Sequence, residues 1–515
     1  MSDLNPNAVS FTPPSCSEGK CEITLSPASE DSWNQITKHP VSTMSKWSDI
    51  IKSKPPTEPY SSDDDSDKGR KTWASVASNQ IPSLYERVRN LVASKDNVKL
   101  CDTDPENGIE LYCYQKTNDD PVEMEVRGLV FAPDGKLISK GFSYTPEYSS
   151  DISFHNAEHK FNAPNDTRTV FRSHEGVVLR VFAYNGKWYI STHRRLNAYR
   201  SRWGSDETFG ELFDQGMRNL GLISDDQTCL QWFADNLDDT YTYAFLISNT
   251  PNNRLVCHAP KDIEIIHIGT FGSDGTYWAH YSCPIPKAKE YNFDSDVEML
   301  EAVEKIDHMK HQGFVIFNAD GPVFKLFHPT YYKLWSLRNN VSSIKLRYLQ
   351  IIGDEEKSRT FRDLYPENKK DFDQYDKYVE MVANEGACMY NMRFVCNRKA
   401  HVRQELYQLL LMCENVYTCG GAGVHERLTS GDVKSIFYRM DSPQKNKLIR
   451  SIHKAVTSDP PEYRVWPDVT ENEWGYTLYT DDEGVTYTER ELWKSFTPAP
   501  KNPVLKKKST KKYSH

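Results

Sequence analysis

No run of eighteen apolar residues occurs in these 515 residues, which excludes a membrane-spanning helix of ordinary length. The opening residues, MSDLNPNAVSFTPPSC, carry neither a basic nor an apolar region, so no secretory leader is expected. Cysteine is present at eleven positions, but without any C-x-x-C pair or Cys/His quartet at zinc spacing. Scattered thiols of this kind read as reduced, which fits the cytosol or nucleus. Positive charge is not in excess either. A net charge of -9 argues against a chain that coats nucleic acid along its length, so phosphate contacts must come from local basic clusters. What is present is ample core material, 38% hydrophobic and 12% aromatic, in a length that suggests two or three domains.

Residues 1–80 are rich in Ser, Pro, Asp and Thr, with an acidic run from Ser61 to Asp67, and are expected to form a disordered tail. Three short Trp-x-x-(Ile/Val) segments interrupt it, at Trp33–Ile36, Trp47–Ile50 and Trp73–Val76. Tryptophan is unusual in a solvated tail, so these read as linear motifs for a protein partner, each docking as one helical turn. Chance clustering is the plainer alternative.

From 85 to 350, short strands separated by turn signals dominate. Arg127–Phe131 turns at Ala132–Gly135, Val177–Tyr184 turns at Asn185-Gly186, and Gly313–Phe317 turns through Asn318–Gly321 into Val323–Phe327. Helical spacing over Thr208–Leu220 and Asp294–Lys305 makes this domain α+β, built on antiparallel sheet. A second, mainly helical domain is expected over 355–500, with helices over Phe372–Glu385, His401–Glu414 and Val433–Val456. The glycine-rich stretch 419–423 follows no strand of a βαβ unit and lacks a phosphate-loop lysine, so it reads as a helix-to-helix turn. Residues 501–515 form a basic tail.

Five features fall in order along the middle domain: Arg127-Gly128, Lys160-Phe-Asn162, Ser173-His-Glu-Gly176, Asn253-Arg-Leu-Val256, and Gln312-Gly-Phe-Val315 leading into Phe324–Phe327. That order resembles the lysine-dependent nucleotidyltransferases, and most closely the bacteriophage RNA ligases of the tRNA-repair type. The resemblance covers about half the chain and implies an antiparallel-sheet nucleotidyltransferase domain followed by helices. It further implies ATP and Mg2+ as cofactors, RNA as partner, and a lysine that attacks the α-phosphate of ATP. Such an amine must be lowered from about 10.4 toward neutrality, and acidic residues must hold the metal.

Several of those groups are missing here. The lysine position holds Ser173, a metal-binding Glu position holds Gln312, another falls at Leu246 or Ile247, and the second lysine of the last motif is Phe327. Losing one electrostatic stabiliser costs about 10²- to 10³-fold, and losing the nucleophile more, so a catalytically impaired, ligase-like protein is expected. No catalytic residue and no metal ligand is assigned. An active ATP-dependent RNA ligase with a non-standard nucleophile (His174, Lys160 or Lys187) is one alternative; a purely structural or interaction protein is another.

The resemblance leaves Arg127, Glu175, Gly176, Arg254 and Lys325 as candidate nucleotide-binding residues, the glycine letting backbone approach a ligand. For the two arginines a structural ion pair is the competing reading. Arg194, Arg195, Arg200 and Arg202 with Trp203 form the densest basic cluster, suited to phosphate pairing and base stacking on RNA. A solvated rim is its plainer alternative. Ligases of this type are frequent in phages and large DNA viruses, which makes a viral protein of the host cytoplasm or nucleus the expectation.

Overall fold

The computed structural model describes residues 83–94, 97–149, 168–278, 283–318, 323–419, 424–462, 464–473, 476–488 and 491–492. The tryptophan segments, Lys160, the turn at 319–322, the glycine stretch 420–423 and the basic tail lie outside them.

The chain opens with the helix Leu84–Ala93, whose first turn is closed by a capping box between Ser83 and Glu86. Strands β1 (Val98–Asp104), β2 (Ile109–Tyr114), β3 (Arg127–Phe131) and β4 (Leu137–Ser139) form an antiparallel meander in that order. Ten further strands follow: β5 (Glu147–Ser149), β6 (Arg168–Ser173), β7 (Gly176–Tyr184), β8 (Lys187–Ser191), β9 (Thr242–Ser248), β10 (Ile265–Phe271), β11 (Tyr277–Trp278), β12 (Glu290–Tyr291), β13 (Gly313–Asn318) and β14 (Val323–Phe327). They assemble two five-stranded sheets, ordered β11-β10-β9-β7-β8 and β12-β6-β13-β14-β5. All the pairings are antiparallel except β14 with β5.

Local chemistry accounts for these elements. In the β7–β8 turn both Asn185 (φ 51°) and Gly186 (φ 73°) adopt left-handed conformations, as a two-residue turn matching the strand twist requires. The helix Phe209–Asn219 is opened by a capping box between Thr208 and Glu211, and Phe209, Leu212, Phe213 and Met217 on its buried side cover one face of the second sheet. The helix Asp296–Glu304 covers the third sheet through Met299 and Val303. The two larger sheets meet where Tyr277 of β11 stacks on Phe317 of β13, centroids 4.8 Å apart, with Phe142, Phe171 and Phe271 packed around that pair.

From Pro329 onward the chain is mainly helical, and its core runs from Tyr331 to Leu492. The 22-residue helix Lys369–Tyr390 lies at its centre, and Gly386 admits Val433, whose Cγ1 would lie 2.7 Å from a Cβ at that glycine. The structure corrects the expected helix over 433–456: two helices are present, Ser430–Arg439 and Ser442–Thr457. Pro443 has no N–H to continue the first helix, and the Asp441 side chain accepts from Gln444 N to start the second. Two small antiparallel sheets lie among the described residues of this region. One pairs β15 (Thr418–Cys419) with β16 (Val424–His425), and the other is three-stranded, β17 (Asp468–Glu471), β18 (Thr477–Thr480) and β19 (Thr486–Tyr487). No helix among the described residues is long and apolar enough to cross a membrane.

Candidate functional site

Sheet register brings the motif residues together. Gly313 at the start of β13 lies opposite Ser173 at the end of β6 and opposite Phe327 on β14, so three separated motifs meet side by side on three adjacent strands. Ser173 Oγ donates to Gln312 Oε1 at 2.8 Å, and Gln312 Nε2 donates to Tyr331 Oη at 2.6 Å. Tyr331 then donates to Glu175 Oε2 at 3.1 Å. Burial first, and the Glu175 carboxylate second, push the Tyr331 phenol well above its usual range, so it stays a donor.

Glu175 is the most heavily bonded member of this chain. It also accepts from Val256 N (2.8 Å), Cys257 N (3.0 Å), Leu255 N and Asn249 Nδ2 (2.9 Å). Ser173, Glu175, Gln312 and Tyr331 are all buried. The positions that the resemblance assigns to nucleophile, metal ligand and nucleotide contact are therefore joined to one another and to the backbone of the Asn-Arg-Leu-Val loop.

Three of the candidate residues make their contacts within the protein. Gly176 does admit a close backbone approach, but the neighbour is protein: a Cβ there would sit 2.2 Å from the Ile247 carbonyl oxygen and 2.7 Å from Leu246 Cδ2. Arg254 turns toward the helical region, where Nε reaches Glu367 Oε1 at 2.9 Å, Nη1 reaches the Val256 carbonyl at 3.1 Å, and the guanidinium lies 4.6 Å from the Tyr365 ring centre. This is the ion-pair alternative for that arginine. Trp203 is not presented as an open stacking platform: it packs against the core beside the helix Phe209–Asn219, under the buried Arg338 guanidinium at 5.6 Å.

The other candidates are placed as follows. Lys325 on β14 pairs with Glu147 of β5 at 3.3 Å, and Phe327 is fully buried. Of the alternative nucleophiles, Lys187 bonds to Asp104 (3.0 Å) and Glu106 (3.1 Å), which raise its pKa and hold it as ammonium. His174 packs edge-on against His311 at 5.0 Å, and burial, followed by His311 and Arg172, depresses its pKa to about 4. Ile247 packs in the helix-side core with Leu179 and Phe245. Gln312 brings no negative charge, and no group of three His, Cys, Asp or Glu among the described residues could hold a metal ion. The donor set therefore does not fit the metal site that the resemblance implies.

The basic residues divide. Arg195 faces Asp102 at 3.8 Å, whereas Arg200 and Arg202 lie exposed beyond it. Arg194 Nη2 donates to the Gln115 carbonyl at 3.0 Å, and Arg127 Nη1 donates to the Ser143 carbonyl at 3.3 Å. Close by is a residue that the motifs did not single out as a site. Arg180 on β7, only 3% exposed, donates to the carbonyls of Gly128 and Thr192 (2.7 Å for the latter). Burial, opposed by Cys113 and aided by Arg127, lowers its guanidinium to about 10. Gly128, at φ 76°, is required for this arrangement, since a Cβ there would lie 2.8 Å from Arg180 Nη2 and 2.9 Å from His193 Cα. Among the described residues, Arg127, Arg180 and Arg194 bond carbonyl oxygens and form no ion pair. The sequence signal for Arg180 was its alternation: on β7 it lies between Leu179 and Val181, both in the helix-side core, and so faces the opposite side.

No family model matches the chain. It is similar to viral proteins. One is an "Immediate-early protein ICP-46 homolog" of Invertebrate iridescent virus 6, 26% identical over 366 residues, covering 66% of this chain and 80% of the relative. Another is a "Putative bifunctional polynucleotide kinase/RNA ligase" of Autographa californica nuclear polyhedrosis virus, 23% identical over 362 residues, covering 67% of this chain and 49% of the relative. The chain thus spans about half the length of that second protein. Similar solved structures include an archaeal ATP-dependent RNA ligase, at 11% identity and a TM-score of 0.34, covering 54% of this chain and 70% of that one. The sequence similarity is to viral proteins, one of them named a putative bifunctional polynucleotide kinase/RNA ligase.

Proposed function

We propose that this chain is a viral, RNA-ligase-like nucleotidyltransferase scaffold that has lost covalent catalysis and binds RNA or nucleotide phosphate. The observation that carries this reading is the buried Ser173–Gln312–Tyr331–Glu175 chain. A ligase needs an amine and metal-binding carboxylates where this protein has a hydroxyl and an amide bonded to each other, and neither can form a lysyl-AMP. Phosphate contact is assigned to Arg127 and Arg194, with Arg200 and Arg202 as outer contacts and the buried Arg180 adding positive charge behind them. Cations bonded only to carbonyl oxygens keep their net charge for an incoming anion. Glu175, Gly176, Arg254 and Trp203 are given structural roles. The similarity to a viral protein named an RNA ligase supports RNA over DNA. The Trp33, Trp47 and Trp73 segments recruit a protein partner, and the site of action is the cytoplasm or nucleus of the infected cell.

The test is to incubate the purified chain with ATP labelled at the α-phosphate and with Mg2+ or Mn2+, then examine label that survives denaturation. No labelled band beside a control ligase that labels, together with salt-dependent RNA binding, is the expected result. A labelled band, mapped to His174, Lys160 or Lys187, would overturn the loss of catalysis. Absence of RNA and nucleotide binding would leave only an interaction protein.

A further inference from the structure

Cys101 and Cys113 lie on neighbouring strands of the first sheet; Cys101 packs beside Ile109, Leu111 and Val130, and Cys113 alternates along β2 with Tyr112 and Tyr114, which face the other side. Register in β1 jumps from Leu100 opposite Tyr112 to Asp102 opposite Leu111, leaving Cys101 as the extra residue of a bulge. The bulge directs its Sγ back across the sheet, to 4.0 Å from the Cys113 carbonyl oxygen and 3.5 Å from the Gln115 side-chain amide. Cys101 is part-exposed, whereas Cys113 is fully buried, and both are free.

We infer that Cys101 and Cys113 form a peroxide-oxidisable dithiol, with Cys101 the attacking thiolate and Cys113 the resolving thiol. The environment separates their roles. The neighbouring Cys113 thiol, then the Gln115 amide and the Arg194 guanidinium, favour the Cys101 thiolate against its partial burial, while the neighbouring Cys101 and burial push the Cys113 thiol up. In the first step the Cys101 thiolate attacks one peroxide oxygen, the O–O bond breaks, and hydroxide leaves to become water, giving a sulfenic acid. Cys113 sulfur then attacks Cys101 Sγ, the S–O bond breaks, and the oxygen leaves as water with the proton of Cys113. Two thiols lose two electrons, and one peroxide becomes two waters. Because the two cysteines lie on paired strands, with Cys101 Sγ 4.0 Å from the Cys113 carbonyl oxygen, rotation of the side chains and local adjustment of the bulge bring the sulfurs together for the second step.

The full chain is treated with equimolar hydrogen peroxide, alkylated, digested without reductant and mapped by mass. Peptides joined through Cys101 and Cys113 are expected, formed before oxidation of the other part-exposed thiols among the described residues, Cys283 and Cys396. In Cys113→Ser, Cys101 sulfenic acid should persist and be captured by a diketone trap. In Cys101→Ser, Cys113 should stay unmodified. Oxidation of Cys101 no faster than Cys283 and Cys396, or a Cys101 sulfenic acid that never resolves onto Cys113 in the unmutated chain, would overturn the inference.

Discussion

Replacing Glu175 by alanine separates a structural carboxylate from a ligand-binding one. The carboxylate is 7% exposed and accepts from Asn249, Leu255, Val256, Cys257 and Tyr331, so Glu175→Ala strands five donors at once. Each buried donor left without a partner costs about 1–3 kcal/mol, but water entering the vacated space satisfies some of them. Removing one member of a buried charged cluster costs about 3–5 kcal/mol in total, and that is the expected loss. Glu175→Gln keeps the shape but turns one oxygen into a donor facing donors, and should cost roughly half as much. The assay is the denaturant midpoint with the slope unchanged, read beside RNA and ATP affinity measured well below the transition. A variant within about 0.5 kcal/mol of the parent that no longer binds nucleotide would refute the structural role and return Glu175 to the ligand site.

Two further outcomes follow from the charged groups. Arg127→Ala and Arg194→Ala should each flatten the dependence of RNA affinity on salt by about 0.7 in log–log slope, and an unchanged slope in filter-binding titrations would exclude that arginine from phosphate contact. His267 is 2% exposed, with its Nε2 3.0 Å from the Gly269 carbonyl, and burial, then Lys287, lowers its pKa to about 4. Since the folded form binds the proton less readily than the unfolded one, this stability is present above about pH 6.5 and is lost as pH falls toward 4, by up to about 1.4 kcal/mol per pH unit. His267→Gln should flatten that acid limb in denaturant midpoints taken from pH 7 to pH 4; an identical slope would show that other groups control it.

Much of the protein was legible in the chain itself. Asn185-Gly186 and the Thr208–Glu211 box act over a few residues, so their hairpin and helix start could be read directly. The Asp441-Ser-Pro443 break was equally local and was overlooked within an apolar pattern that runs through it. Motif order placed Ser173, Glu175 and Gln312 in one neighbourhood, because strands that pair bring fixed positions into register. What each polar group does there was another matter. Arg254 finds Glu367 113 residues away, Trp203 lies under Arg338 on a later helix, and Arg180 is enclosed between Gly128 and Thr192. Residue type fixes how many hydrogen bonds and charges a side chain offers; only the packed chain decides which are consumed internally, as at Arg254 and Arg180, and which stay at the surface, as at Arg200 and Arg202. That choice depends on partners distant in sequence and on burial, neither of which local pattern encodes.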